Sequence, residues 1–219
     1  MKEQIERRGL EAVKGLELRI LEADDGTKKI RGYAAVFNQL SQDLGGFREK
    51  IAAGAFAATI EIADIRALFN HNRDQVLGRT ASGTLRLWED ETGLGYEIEP
   101  PAATWARDLM ISIQRGDINQ SSFGFETVRD NWEALADGQV ERTLLEVKLF
   151  DVSPVTWPAY LQTIAQVRDR AAEFASDNND PEGQAAQGLA EAQAQDRAAL
   201  DILRRRLELA AIENQTYQN

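Results

Sequence analysis

Apolar and polar positions alternate with a period of two through much of the first 150 residues, the pattern of half-buried strands. Leu16, Leu18 and Ile20 are separated by Glu17 and Arg19. Asp24-Asp25-Gly26 is a turn signal, and Ile30-Arg31-Gly32-Tyr33-Ala34-Ala35-Val36-Phe37 follows, which predicts a hairpin over residues 16–38. Gly45-Gly46 marks a loop. The Ala-rich stretch Ala52 to Ile62 predicts a short helix, and Ile65 to Phe69 a short strand running into Asn70-His71-Asn72. Strands are predicted around Thr84–Trp88 and Gly95–Ile98, with a turn through Glu89-Asp90-Glu91 and Gly93 between them. Trp105, Leu109, Met110 and Ile113 stand at helical spacing and predict a helix over about 103–115, closed by Gly116. Ser122–Val128 and Arg142–Phe150 read as strands joined by a loop containing Gly138. Pro154 confines any extension over Val152–Trp157 to an edge or a bend.

The pattern changes in the last fifty residues. A helical stretch near 160–175 is interrupted by Ser176-Asp177-Asn178-Asn179-Asp180-Pro181-Glu182-Gly183. Beyond it, Leu200, Leu203 and Leu207 form one apolar stripe on a helix rich in Ala, Gln and Arg. The expected organisation is a main domain over 1–170, a polar linker over 171–188 and an amphipathic helical tail over 189–219. Many strands with few helices predict a β-rich α+β fold, a barrel or a sandwich, rather than a βαβ repeat.

Composition narrows the function classes. The chain has 219 residues, enough for one sizeable core and an appendage. It has no cysteine, which excludes disulfides and thiolate metal sites. The formal net charge of -11 argues against a nucleic-acid-binding surface. The charged start Met1-Lys2-Glu3-Gln4-Ile5-Glu6-Arg7-Arg8 lacks the apolar core of a secretory signal, and no run is long enough to span a membrane. No P-loop, Gly-x-Gly-x-x-Gly or His-Glu-x-x-His occurs, so no cofactor or metal is expected. The acidic set Glu89, Asp90, Glu91, Glu97 and Glu99 reads as a solvated hairpin.

Two residues could carry chemistry. His71 is the only histidine, so a histidine-assisted serine enzyme has no other imidazole for its general base. Its neighbours Asn70 and Asn72 favour a turn at a strand end, where functional side chains often sit. The run Ser121-Ser122-Phe123-Gly124-Phe125 follows about fifty residues later. Strand parity puts Phe123 and Phe125 on the core face and Ser122, Gly124 and Glu126 on the other, so Ser122 is the serine expected to meet solvent and substrate. A third member would orient the imidazole and stabilise its charged form. Glu146 and Asp151 are the candidates. Parity favours Glu146, which lies opposite in sense to Leu145, Val147 and Leu149, and so could share the face of Ser122. Asp151 follows the core-face parity, where the strand could bend.

These segments resemble the prohead (capsid maturation) proteases of tailed bacteriophages. The similar stretches are Arg31-Gly32-Tyr33-Ala34-Ala35-Val36-Phe37-Asn38, Gly46-Phe47-Arg48-Glu49 with Gly54-Ala55-Phe56, and Leu68-Phe69-Asn70-His71 with Leu77-Gly78-Arg79. Ser121-Ser122-Phe123-Gly124-Phe125, Leu149-Phe150-Asp151-Val152-Ser153 and Val155-Thr156-Trp157-Pro158-Ala159 complete the set, over about residues 15–165. The resemblance implies a herpesvirus-assemblin-like β-barrel flanked by helices, and a serine endopeptidase with His71 as base and Ser122 as nucleophile. Assemblins use a second histidine as third member. This chain has none, so an acid is expected there, Glu146 with Asp151 as the alternative. Oxyanion donors are not assignable, with N–H groups near Gly124 as one candidate. Implied partners are the major capsid protein with its scaffolding segment, and the chain itself through autoprocessing and homo-oligomerisation. Neither nucleic acid nor membrane is implied. The implied location is the host cytoplasm, inside the immature capsid. A non-catalytic capsid assembly or scaffolding module retaining the protease fold is the alternative reading.

Overall fold

The computed structural model describes residues 5–10, 16–24, 26–135 and 139–157, with 167, 170–172 and 174. The expected polar linker and helical tail lie outside the described residues, apart from Ala171, Ala172 and Phe174, which are helical. The elements in chain order are β1 (Glu6–Leu10), β2 (Arg19–Glu22), β3 (Lys28–Val36), β4 (Phe47–Ile51), α1 (Ala57–Ile62) and β5 (Arg66–Phe69). They continue with β6 (Asn72–Arg79), β7 (Leu85–Glu89), β8 (Gly93–Ile98), α2 (Thr104–Arg115), β9 (Gln120–Ala134) and β10 (Val140–Val155).

The fold is β-rich with few helices, and the strands form two open sheets. One has the order β1-β9-β10-β5-β6, with β4 also pairing β10; the other has the order β2-β3-β8-β7. The long strand β10 serves two parallel neighbours. Its first half pairs β4, from Val140↔Phe47 to Leu144↔Ile51, and its second half pairs β5 at Asp151↔Arg66 and Val152↔Ala67. The expected barrel is not closed among the described residues, because no strand pairing joins the two sheets. Alternation along one strand reports its buried face, but closure depends on non-local partners that alternation does not encode. One core joins the sheets nonetheless. Ile30, Leu94, Tyr96 and Ile98 from one meet Phe123, Phe125, Leu149 and Val152 from the other.

Local signals explain much of this. α2 buries Ala106, Leu109 and Ile113 along one stripe. It ends at Gly116, whose φ of 83° is left-handed and whose N–H bonds the Ile113 and Ser112 carbonyls. The helix expected over Ala52–Ile62 is only its last turn and a half, Ala57–Ile62, because Phe47–Ile51 is drawn into β4 and Gly54 adopts a φ of 86°. β10 runs through Pro154. The Pro154 carbonyl accepts from the Asn70 N–H at 3.0 Å, so this residue's missing donor faces the β5 side and costs the ladder to β9 nothing.

β1 is held on the edge of β9 by a buried ionic network. Arg8 places Nε 2.7 Å from Glu49 Oε1 and Nη2 2.9 Å from Glu6 Oε2. Arg142 Nη1 donates to Glu6 Oε2 and to Glu49 Oε2, both at 2.9 Å, and its Nε donates to Asp130 Oδ2 at 2.8 Å. Burial alone would raise the Glu6 carboxyl. The hydrogen bond and charge of Arg142, the charge of Arg8 and the Thr127 hydroxyl outweigh it and hold Glu6 below its ordinary 4.5.

Candidate active site

His71 sits at the tip of the hairpin between β5 and β6. Phe69 pairs with Asn72, leaving a two-residue turn, and Asn70 (φ 53°) and His71 (φ 55°) are both left-handed. That is a type I′ turn, whose twist suits a hairpin and whose first position asparagine tolerates well. A histidine in this conformation is strained, and the turn is clamped from outside. The Asn70 side-chain oxygen accepts from the Thr156 N–H at 2.8 Å, and Asn70 Nδ2 lies 3.2 Å from Thr156 Oγ1. The clamp fixes the hairpin tip to the end of β10 and aims the imidazole at β9.

Ser122, His71 and Asp151 form one hydrogen-bonded line. His71 Nε2 lies 2.7 Å from Ser122 Oγ, and His71 Nδ1 lies 2.6 Å from Asp151 Oδ1 and 3.1 Å from its Oδ2. With Nδ1–H donating to the carboxylate, Nε2 carries the lone pair that can accept the Ser122 proton. The His71 and Asp151 side chains are 8% and 10% exposed, so their attraction is poorly screened. Ser153 Oγ lies 3.4 Å from both His71 Nδ1 and Asp151 Oδ1. Parity with Asp151, two residues earlier, is the sequence signal that could have found it.

Glu146 is not brought to this site. It lies opposite Arg129, with 3.9 Å between Arg129 Nε and Glu146 Oε2 in an exposed pair. Glu146 fails by its place along the strand, since the residue paired with Ser122 is Ser153, and Asp151 reaches the site because β10 is bulged. Leu149 pairs with Phe125, but the next pair is Asp151↔Gly124, so Phe150 is the extra residue. That insertion turns Asp151 and Ser153 off the core parity and onto the face of Gly124 and Ser122. A glycine is needed opposite the acid: a Cβ at Gly124 would lie 2.4 Å from Asp151 Oδ2. Gly124 stands between β1 and β10 in register with Arg7 and Asp151, so its role here is the room it leaves for the carboxylate.

Ser121 and Ser122 point to opposite sides, as parity requires. Ser121 Oγ lies 2.7 Å from the hydroxyl of Tyr96, a fully buried residue of the other sheet whose phenol burial holds neutral. Ser122 does not meet solvent as expected: its exposure is 0%. β1 covers it, and its hydroxyl lies 2.7 Å from the Arg8 carbonyl as well as from His71. A pocket of about 350 Å³ reaches His71 and Asp151 from the other side, between Arg7, Leu68 and Phe150. Among the described residues no group of His, Cys, Asp or Glu could hold a metal ion, and no helix is long and apolar enough to cross a membrane.

The comparison with known proteins gives the family of the chain as a whole. The family model of the caudovirus prohead serine proteases matches residues 14–177. The chain belongs to that family. The prohead protease of Enterobacteria phage HK97 is 30% identical over 140 residues, which cover 62% of this chain and 58% of that protein. The similarity thus spans somewhat over half the length of the curated relative. No solved structure gives a significant match. The matched region of this prohead protease family member holds His71, Ser122 and Asp151 but omits β1.

Proposed function

We propose that the chain is a serine endopeptidase of phage prohead maturation, in which Ser122 is the nucleophile, His71 its general base and Asp151 the acid that orients the imidazole. The observation that carries this reading is the unbroken line from Ser122 Oγ through both ring nitrogens of His71 to the Asp151 carboxylate. In the reaction, His71 Nε2 takes the Ser122 proton as Oγ attacks a peptide carbonyl. The imidazolium then gives the proton to the leaving amine, and water releases the acyl group by the reverse relay. Asp151 stays ionised, holding Nδ1–H in place and balancing the imidazolium charge.

By family, the substrates are the scaffolding segment of the major capsid protein and the chain itself, within the immature capsid in the host cytoplasm. The protease domain would extend over 1–170, and the stretch from 171 to 188 would be the polar linker, beginning in helix with Ala171 buried, before the helical tail at 189–219. Composition makes residues 176–188 of that linker the region open to self-cleavage. Co-expression with the capsid protein tests the reading. Wild type is expected to process it, and Ser122→Ala to lower the rate by about 10⁴-fold or more, below detection on a gel. Equal processing by Ser122→Ala would remove the nucleophile assignment. No processing by the wild type would favour the assembly-module reading.

A further inference from the structure

β1 lies where a substrate strand would have to lie. It pairs antiparallel with β9 across Ser121 to Phe125, with Gly9 opposite Ser122 and Arg8 opposite Phe123. The Ser122 hydroxyl donates to the Arg8 carbonyl at 2.7 Å, so the Arg8–Gly9 peptide group is in hydrogen-bond contact with the reactive hydroxyl. An exposed strand edge beside a nucleophile is a general means of holding an extended peptide, with the main chain supplying affinity and alternate side chains selectivity.

The Arg8 side chain is held by charge. Arg8 points to the core face, where Glu49 grips it through Nε–Oε1 at 2.7 Å and Nη2–Oε2 at 3.1 Å, and the Phe125 ring lies 5.5 Å from its guanidinium carbon. Without β1, the charged side chains left in this network among the described residues, apart from the surface Arg170, are Glu49, Asp130 and Arg142, two anions and one cation. Arg170 reaches Asp130 only from the surface, with its side chain 60% exposed. The fixed part of the site therefore calls for a cation beside Glu49. The other face of β1 fits less well. Arg7 leaves Nε buried with no hydrogen-bond partner. Cavities of about 350 Å³ and about 220 Å³ border the strand on its two sides, the second lined by Gly9, Leu10 and Glu49.

We propose that the groove filled by β1 is the substrate site for an extended peptide, that Glu49 selects Arg or Lys at the position of Arg8, and that β1 occupies it as a stand-in for substrate. The bond cut is the one after that basic residue. Ser122 Oγ bonds to its carbonyl carbon, the C–N bond breaks, and the following residue's amine leaves with the proton from His71. This rests on the serine protease reading and deepens it.

The test uses the full-length chain and the peptide Ile-Glu-Arg-Arg-Gly-Leu (residues 5–10) in a quenched fluorescent form, with Leu or Glu replacing its second Arg. Leu or Glu there is expected to lower kcat/KM by about 100-fold, because the buried Glu49 loses one of its two cations and keeps Arg142 alone. Mass spectrometry is expected to place the cut after the second Arg. Glu49→Gln is expected to bring the Arg-to-Leu ratio close to one, and Arg8→Ala, which weakens the stand-in, to raise turnover of the Arg peptide. Should either variant fail to fold, the peptide series on wild type still decides. Equal turnover of the three peptides would overturn the proposal, as would no cleavage of the Arg peptide by protein that processes co-expressed capsid protein in a Ser122-dependent way. If Ser122→Ala processes capsid protein as well as wild type, the nucleophile assignment fails first and this proposal with it.

Discussion

Asp151→Asn is expected to lower kcat by about three to four orders of magnitude, while Glu146→Gln leaves it within about twofold of wild type. The amide keeps the size of the carboxylate but not its charge. It cannot balance the imidazolium formed as Ser122 attacks, and its NH₂ can face Nδ1 and so favour the tautomer with the proton on Nε2. That tautomer has no lone pair for the Ser122 proton. Glu146 has no such reach, since its partner is the exposed Arg129. Steady-state rates on a peptide substrate, with substrate saturating, check the ranking. Equal losses in the two variants would return Glu146 to consideration.

The largest expected loss of stability lies at Arg142. Its side chain is 3% exposed and bonds Glu6, Glu49, Asp130 and Thr127 at once. Arg142→Ala leaves three buried carboxylates with only Arg8 inside the network, a loss of about 3–5 kcal/mol in urea unfolding. Arg142→Lys keeps the charge but not the planar fork, and should lie between. Lys29→Ala, at the surface pair with Glu97, should leave the unfolding midpoint nearly unchanged. The same network carries an acid dependence. The Glu6 carboxyl is held below its unfolded value, so its contribution is present above pH 4.5 and is lost as pH falls through the lowered folded value. Wild type should therefore lose stability below about pH 4 more steeply than Glu6→Gln.

The sequence showed the site in halves. His71 could be found by counting, because one imidazole leaves no choice, and its flanking asparagines named the turn that carries it. Ser122 followed from the alternation with Phe123 and Phe125, and Ser121 duly turns away to Tyr96. Asp151 was misplaced by the same parity rule, because the rule assumes an unbroken strand. The extra residue at Phe150 reverses the faces beyond it, and nothing in Leu149-Phe150-Asp151 marks a bulge. β4 was passed over between the Gly45-Gly46 turn and the helix predicted from Ala52, and the other two missed strands share one cause. β1 and β6 are polar, with Glu6 and Arg8 buried through ion pairs and Asn72–Asp74 exposed, so neither carries the apolar period that reveals a strand. The burial of Ser122 could not be read for the same reason, since the strand covering it was not visible.

Active-site labelling tests the central claim most directly. Full-length protein treated with a fluorophosphonate, digested and sequenced by mass spectrometry, is expected to carry one adduct, on Ser122. The adduct should disappear when the protein is unfolded in urea and form about 10³-fold more slowly in His71→Ala. An adduct on another residue, or none on protein that processes the capsid protein, would contradict the account.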